Sequence, residues 1–253
     1  MNMDGPNIQI TGVTNKNITK HESIELGHKY REELLHYIRK GEQRYIPQYA
    51  DEFKEFLRQD TFDIMKRIPR NQLRAYKNIL LSHNTLYSYS AEKGGLSAWQ
   101  SHFLSEKYAI MVENAKSISE LEEIHKRMLE EYSDPSIRFT PLEKATIAEK
   151  VEHFIRMNFS EEISIEEISQ KLHVHPSHLM RAFKKERGMT ISHFRNLIRI
   201  KEAKDLLTNS NLSLIEITLI VGFKNQQYFT RVFKEAEGVT PKEYKRNNVS
   251  EGF

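Results

Sequence analysis

The 253-residue sequence contains no cysteine. That excludes disulfides, thiolate metal sites and cysteine nucleophiles, and it fits a reducing compartment. There is no run of eighteen apolar residues, so no membrane-spanning helix is expected. Met1 to Asn17 is polar and lacks the apolar core of a signal peptide, which predicts a frayed terminus and a cytoplasmic protein. A strong excess of one charge is also missing: the formal net charge is only +3, so global charge says little about partners. No Gly-rich phosphate loop, metalloprotease pair or nucleophile elbow occurs. Neither catalytic residues nor a cofactor are therefore expected. Strand pattern is confined to Ile8–Val13, and the rest reads as helix and turn.

What is present is a repeat. ISIEEISQKLHVHPSHLMRAFKKERGMTISHF, from Ile163 to Phe194, returns about fifty residues later as LSLIEITLIVGFKNQQYFTRVFKEAEGVTPKEY, from Leu212 to Tyr244. Ser164, Glu167, Arg181, Phe183, Lys184 and Gly188 correspond to Ser213, Glu216, Arg231, Phe233, Lys234 and Gly238, with one residue inserted near Lys224. Each copy reads as a short helix, a tight turn and a second helix bearing Arg and Lys. Ser164 with Glu167, and Ser213 with Glu216, have the capping-box spacing, in which hydroxyl and carboxylate each take a free backbone N–H. Gly222 suits a left-handed residue ending the first helix of the second copy. Its counterpart His173 reaches that conformation only at some cost. Pro176 fits a first helical turn, and Asn225 fits an N-cap.

At about 100° per residue, the second helix of each copy sorts into two faces. Leu179, Ala182 and Phe183 fall on one side of the first, and Phe229, Val232 and Phe233 on one side of the second. The opposite faces carry Ser177, Arg181 and Lys184, flanked by Met180 and Lys185, and Gln227, Arg231 and Lys234, flanked by Gln226 and Thr230. Arg grips guanine bidentately and Gln does so with adenine, so these faces suit major-groove base edges. One such helix alone would equally well be a solvated basic face. Two copies with matching cations favour DNA. Between Lys171 and Lys204, nine Lys or Arg stand against Glu186 and Glu202, which supplies phosphate attraction. The predicted connector, about Thr190 to Asn209, has an apolar stripe of Ile191, Phe194, Leu197, Ile198, Ala203, Leu206 and Leu207. Twenty helical residues span about 30 Å, close to one turn of DNA at about 34 Å.

Residues from about 145 to 247 resemble the DNA-binding domain of the AraC/XylS family of bacterial transcription regulators. The second copy carries the specific match, with Gly222, Phe223, Tyr228, Phe229, Arg231, Phe233, Lys234, Gly238, Thr240, Pro241 and Tyr244 at the family's signature positions. Gln227 stands where the family often has a small polar residue, Thr218 where it often has Ala, and Ile220 is unusually bulky; these departures bear on base preference. The resemblance implies seven helices in two helix-turn-helix units joined by a long connector helix. It further implies double-stranded DNA as partner, a homodimer, contact with RNA polymerase, and control of transcription, usually activation.

The N-terminal part reads as helices at Ser23–Arg39, Gln48–Arg67, Asn71–Ala91, Leu96–Asn114 and Ser119–Tyr132. Ser119 with Glu122 offers a capping box. Thr140-Pro141-Leu142-Glu143 offers another with Pro in the first turn, which divides the chain into a helical regulatory or dimerisation domain, 1–139, and a DNA-binding domain, 140–253. The fold class expected is all-α throughout. The segment GGLSAWQSHFLSEKY resembles, more loosely, helical N-terminal regions of certain Firmicute AraC-like regulators. His173, His175 and His178 form H-x-H-x-x-H, but no Cys or nearby Asp completes a tetrahedral set, so no metal is expected. The aromatics of this half, Tyr76, Tyr87, Trp99 and Tyr108 among them, fit helix packing or the wall of a small-molecule pocket. A peptide or protein partner bound by the N-terminal helices is the alternative effector. An enclosed cavity favours the first and an open groove the second. A DNA-repair methyl acceptor, which some relatives carry, is excluded by the absence of cysteine.

Overall fold

The computed structural model describes residues 20–51, 68, 70–138 and 145–249. The strand-like Ile8–Val13, most of the helix expected at Gln48–Arg67 and the box at Thr140–Glu143 lie outside those residues. Among the described residues the chain is all-α, with one isolated bridge between Leu96 and Arg138. No helix there is long and apolar enough to cross a membrane. The chain divides into two compact units, Met1–Arg138 and Phe139–Phe253.

The first unit contains α1 (Lys20–Lys40), α2 (Gln72–Lys93), α3 (Ala98–Asn114) and α4 (Ile118–Tyr132). Helix α2 packs against the other three. Leu80, Tyr87, Tyr108, Met111, Leu121 and Tyr132 are buried between them. At the loop after α2, a Cβ on Gly94 would lie 1.8 Å from the Arg39 carbonyl oxygen, so only glycine lets the ends of α1 and α2 approach this closely.

One buried guanidinium collects the exposed ends of three helices. Arg138 donates to the carbonyls of Ile38, Ala91 and Tyr132, in the last turns of α1, α2 and α4. A cation complements the negative end of each helix dipole and satisfies carbonyls that lack an intrahelical partner. Burial lowers the Arg138 pKa to about 10, where it remains charged at neutral pH. The rest of this core is unusually polar. Tyr87 Oη lies 3.0 Å from His125 Nε2 and 3.4 Å from His83 Nδ1, and Tyr132 donates to Asn84 at 2.8 Å. Fully buried Lys107 pairs with Glu131 at 3.0 Å.

The capping box expected at Ser119 and Glu122 does not form. Ser117 caps α4, accepting from the Glu120 amide at 3.2 Å, while the Glu120 carboxylate takes the Lys116 N–H at 2.7 Å. The Ser-x-x-Glu spacing occurs twice, two residues apart, and burial selects between the registers. Leu121 is fully buried, and starting at Ser117 lets its amide bond to the Ser117 carbonyl. A start at Ser119 would leave that amide among the unpaired first-turn donors.

The described residues of the second unit form seven helices: α5 (Ile147–Asn158), α6 (Ile165–Leu172), α7 (Pro176–Arg187), α8 (Ile191–Asn209), α9 (Leu214–Ile220), α10 (Gln226–Glu237) and α11 (Pro241–Val249). Helices α6 and α7 form one helix-turn-helix, α9 and α10 another, and α8 joins them. Capping boxes stand at Thr146/Glu149, Ser164/Glu167 and Ser213/Glu216. At about 1.5 Å per residue, α8 is roughly 28 Å long. Its apolar stripe differs from the expected one at two positions: Leu197 is 37% exposed, whereas Ile200, outside the expected stripe, is buried with Ala203, Leu206 and Leu207. These residues form the second core with Ile217, Val221, Phe223, Phe229 and Phe233.

Candidate nucleic-acid interface

The turns place the two second helices. His173 ends α6 in the left-handed conformation, at φ 53° and ψ 41°, its amide bonded to the Gln170 and Ser169 carbonyls. His175 then caps α7, its Nδ1 accepting from the Ser177 amide at 3.3 Å, with Pro176 in the first turn. In the second copy Gly222 takes the left-handed position at φ 89°, and Asn225 caps α10 by accepting from Tyr228 N at 2.8 Å. Two of the three clustered histidines thus serve as caps.

Leu179 and Phe183 of α7, and Phe229 and Phe233 of α10, are fully buried. That fixes the rotation of each helix, because residues three and four apart share a face. Ser177, Met180, Arg181, Lys184 and Lys185 are consequently exposed on α7. Gln226, Gln227, Arg231 and Lys234 are exposed on α10, with Thr230 half-buried beside them. The two Arg side chains are held differently. Arg181 donates Nε to the carbonyl of Ser177 at 3.2 Å, while the Arg231 guanidinium lies over the Tyr228 ring, 5.2 Å from its centroid.

The structure removes several cations from the cluster that the sequence suggests. Arg199 is buried, donating Nε to Phe159 O at 2.6 Å and Nη2 to Glu161 O at 2.9 Å. Its pKa is lowered to about 10, first by burial and then by the neighbouring Arg195. Arg195 donates to Ile163 O at 2.9 Å, Arg187 pairs with Glu152 at 2.9 Å, and Lys204 pairs with Glu237 at 2.7 Å. Lys171, Arg181, Lys184, Lys185 and Lys201 remain exposed and outside any ion pair among the described residues. Backbone carbonyls as acceptors leave no trace in a sequence, so counting charges overstates the field available to phosphates.

The withdrawn cations join the two copies. The loop between α5 and α6 offers the carbonyls of Phe159, Glu161 and Ile163 to Arg199 and Arg195 of α8. The Arg199 guanidinium also lies 5.3 Å from the Phe223 ring centroid in the second copy. A Cβ on Gly222 would lie 2.2 Å from the Ser160 carbonyl oxygen of the same loop. At the rim Lys224 pairs with Glu162. The second turn is therefore seated on the loop that leads into the first copy, and α7 and α10 both pack against α8 within one compact unit.

Comparison with known proteins matches this unit. The family described as a helix-turn-helix domain covers residues 168–247. The C-terminal unit carries an AraC-type helix-turn-helix domain. The chain is 34% identical over 104 residues to the HTH-type transcriptional regulator YtdP of Bacillus subtilis, spanning 41% of this chain and 14% of that protein. It is 31% identical over 101 residues to the bifunctional transcriptional activator/DNA repair enzyme AdaA of the same organism, spanning 40% and 48%. Among solved structures, the C-terminal domain of AraT, a response regulator from Geobacillus stearothermophilus, is 34% identical. That match covers 41% of this chain and 86% of that one, with a TM-score of 0.39. The chain thus spans less than half the length of these curated relatives. In the sequence Tyr228 stands out only as a signature position, with no link to Arg231, and Asn196 does not stand out. The three-residue spacing of Tyr228 and Arg231 is the one signal that could have shown it.

Proposed function

We propose that this chain is a sequence-specific DNA-binding transcription regulator, with a DNA-binding domain from residue 140 and a regulatory, dimerising domain up to residue 139. The carrying observation is the pair of outward faces on α7 and α10, bearing Arg181 and Arg231 at equivalent positions and locked together through α8. That arrangement supports reading two successive major-groove segments. Ser177, Met180, Lys184 and Lys185 accompany Arg181, and Gln226, Gln227, Thr230 and Lys234 accompany Arg231. Activation through RNA polymerase follows from the family resemblance, and a promoter-reporter assay reads its sign.

Selection of random DNA by the full chain tests the reading. Arg181→Ala and Arg231→Ala should each cost about 1–3 kcal/mol and relax one base pair. The two relaxed positions should lie about ten base pairs apart. Relaxation of the same pair by both variants, or an unchanged motif with Arg181→Ala, overturns two-site reading. Gln227→Ala should alter the preferred base beside the Arg231 position.

The N-terminal unit contains a cleft of about 550 Å³ lined by residues including Asp51, Tyr76, Ser117, Glu120, His125 and Lys126. We infer signal input there by a small molecule or by a peptide or protein partner, and the open shape of the cleft favours the second. A metabolite that raises the melting temperature of the full chain and shifts its DNA affinity identifies the first case.

A further inference from the structure

We propose that Tyr228 is the positioning residue for Arg231. Its ring, tied to the connector helix, presents the guanidinium to a base edge and makes the second helix-turn-helix the more discriminating reader of the two. This rests on the reading of Arg231 as a base-contacting residue.

Tyr228 lies in the first turn of α10, three residues before Arg231, so the two side chains share a helix face. Its hydroxyl accepts a hydrogen bond from Nδ2 of Asn196 on α8, at 3.2 Å. Its ring meets Phe223 edge-on, with centroids 5.8 Å apart. Tyr228 is 39% exposed, yet it is fastened at both ends, by the connector at the hydroxyl and by the core at the ring edge. The guanidinium of Arg231 lies over that fixed ring. Attraction through the ring face uses none of the five N–H donors, which stay available for guanine O6 and N7.

The first copy serves as an internal control. The residue equivalent to Tyr228 is His178, which is exposed, and among the described residues no aromatic ring lies under Arg181. Arg181 commits its Nε to the Ser177 carbonyl instead. That bond leaves the four Nη–H donors free but holds the guanidinium against the first turn of its own helix, whereas the ring under Arg231 leaves all five donors free. Preorganisation lowers the cost of binding and sharpens discrimination, because a fixed donor fork accommodates wrong bases poorly.

The test uses the full chain, random-DNA selection, affinity on the selected site and thermal melting. Tyr228→Leu should bind that site roughly 3- to 10-fold more weakly. It should relax the base pair that Arg231→Ala relaxes, and add little loss in the Arg231→Ala background. Tyr228→Phe and Asn196→Ala remove the same hydrogen bond, so each should weaken binding about 2- to 3-fold and the double variant no more than either. Melting temperature should change little in the hydroxyl variants. If Tyr228→Leu leaves the selected motif intact, or its loss adds fully to that of Arg231→Ala, the positioning role is wrong while base reading by Arg231 stands. If Arg231→Ala itself leaves the motif unchanged, base reading fails first, and the inference fails with it.

Discussion

Arg199 Nε donates to the carbonyl oxygen of Phe159 at 2.6 Å, across forty residues of sequence. The bond joins the connector helix to the loop that opens the first helix-turn-helix, and the other end of the guanidinium reaches Glu161 O. Replacing Arg199 by Met should leave both carbonyls unpaired in a buried site and cost about 2–4 kcal/mol. Arg199→Lys should recover part of this, since an ammonium reaches one carbonyl but not both. Hydrogen exchange of α6 and α9 amides in the full chain reads the effect. Unchanged protection would mean that the two copies are held together by something else.

Gly222, Gly188 and Gly238 provide a graded comparison at one backbone conformation. All have positive φ, at 89°, 70° and 77°. An added Cβ meets the Ser160 carbonyl at 2.2 Å in the first case and nothing within 4 Å in the other two. Alanine at Gly188 or Gly238 should cost about 1–2 kcal/mol for the left-handed backbone alone. Gly222→Ala should cost at least about 2 kcal/mol more, because the two turns must also separate. Equal melting shifts for the three variants would show that the approach to Ser160 carries no weight.

The sequence yields those parts of the fold whose physics is local. Capping boxes at Ser164 and Ser213, the N-cap at Asn225 and the outward faces of α7 and α10 all depend on spacing over a few residues. Even the left-handed His173 is legible, because the repeat sets it opposite Gly222. Ser117 and Ser119 offer the same local signal, and only the burial of Leu121 decides between them. Arg195, Arg199 and Lys204 look like phosphate-binding cations because their partners, the carbonyls of the α5–α6 loop and Glu237, lie far away in sequence. Arg138 gives no signal at all, since its partners are the carbonyl ends of three helices. In each of these cases the deciding atom belongs to a distant segment.

Acid should loosen the N-terminal unit. Burial, then the charge of Arg31, lowers the His83 pKa to about 4, and burial, then His83, lowers that of His125. In an unfolded chain both titrate near about 6.5. Below that pH the unfolded state binds more protons than the folded one, so stability present above about 6.5 is progressively lost down to about 4. Trp99 is the sole tryptophan and belongs to this unit, so its fluorescence reports the local transition. Urea midpoints should fall between about pH 7.5 and about pH 5, a range that spans the unfolded-state titration, and His125→Gln should flatten the dependence. A midpoint constant over that range would mean that the pair is not held neutral.

The division of cations into free and engaged makes a last prediction about salt. Removing one phosphate-binding cation should reduce the slope of log affinity against log salt concentration by about 0.9. Lys185 and Lys201 are exposed and outside any ion pair among the described residues. Lys185→Ala and Lys201→Ala should therefore each weaken binding to all DNA sequences alike and make the slope shallower by that amount. Lys204 is within the same charge cluster, but it pairs with Glu237 at 2.7 Å, linking α8 to α10. Lys204→Ala should leave the slope where it is and lower the melting temperature instead, since it frees a half-buried carboxylate. Titrations of the full chain at several salt concentrations separate the outcomes. A slope reduced as much by Lys204→Ala as by Lys185→Ala would show that the Glu237 pair opens on DNA, and that position in sequence, not pairing in the folded chain, decides which cations meet the phosphates.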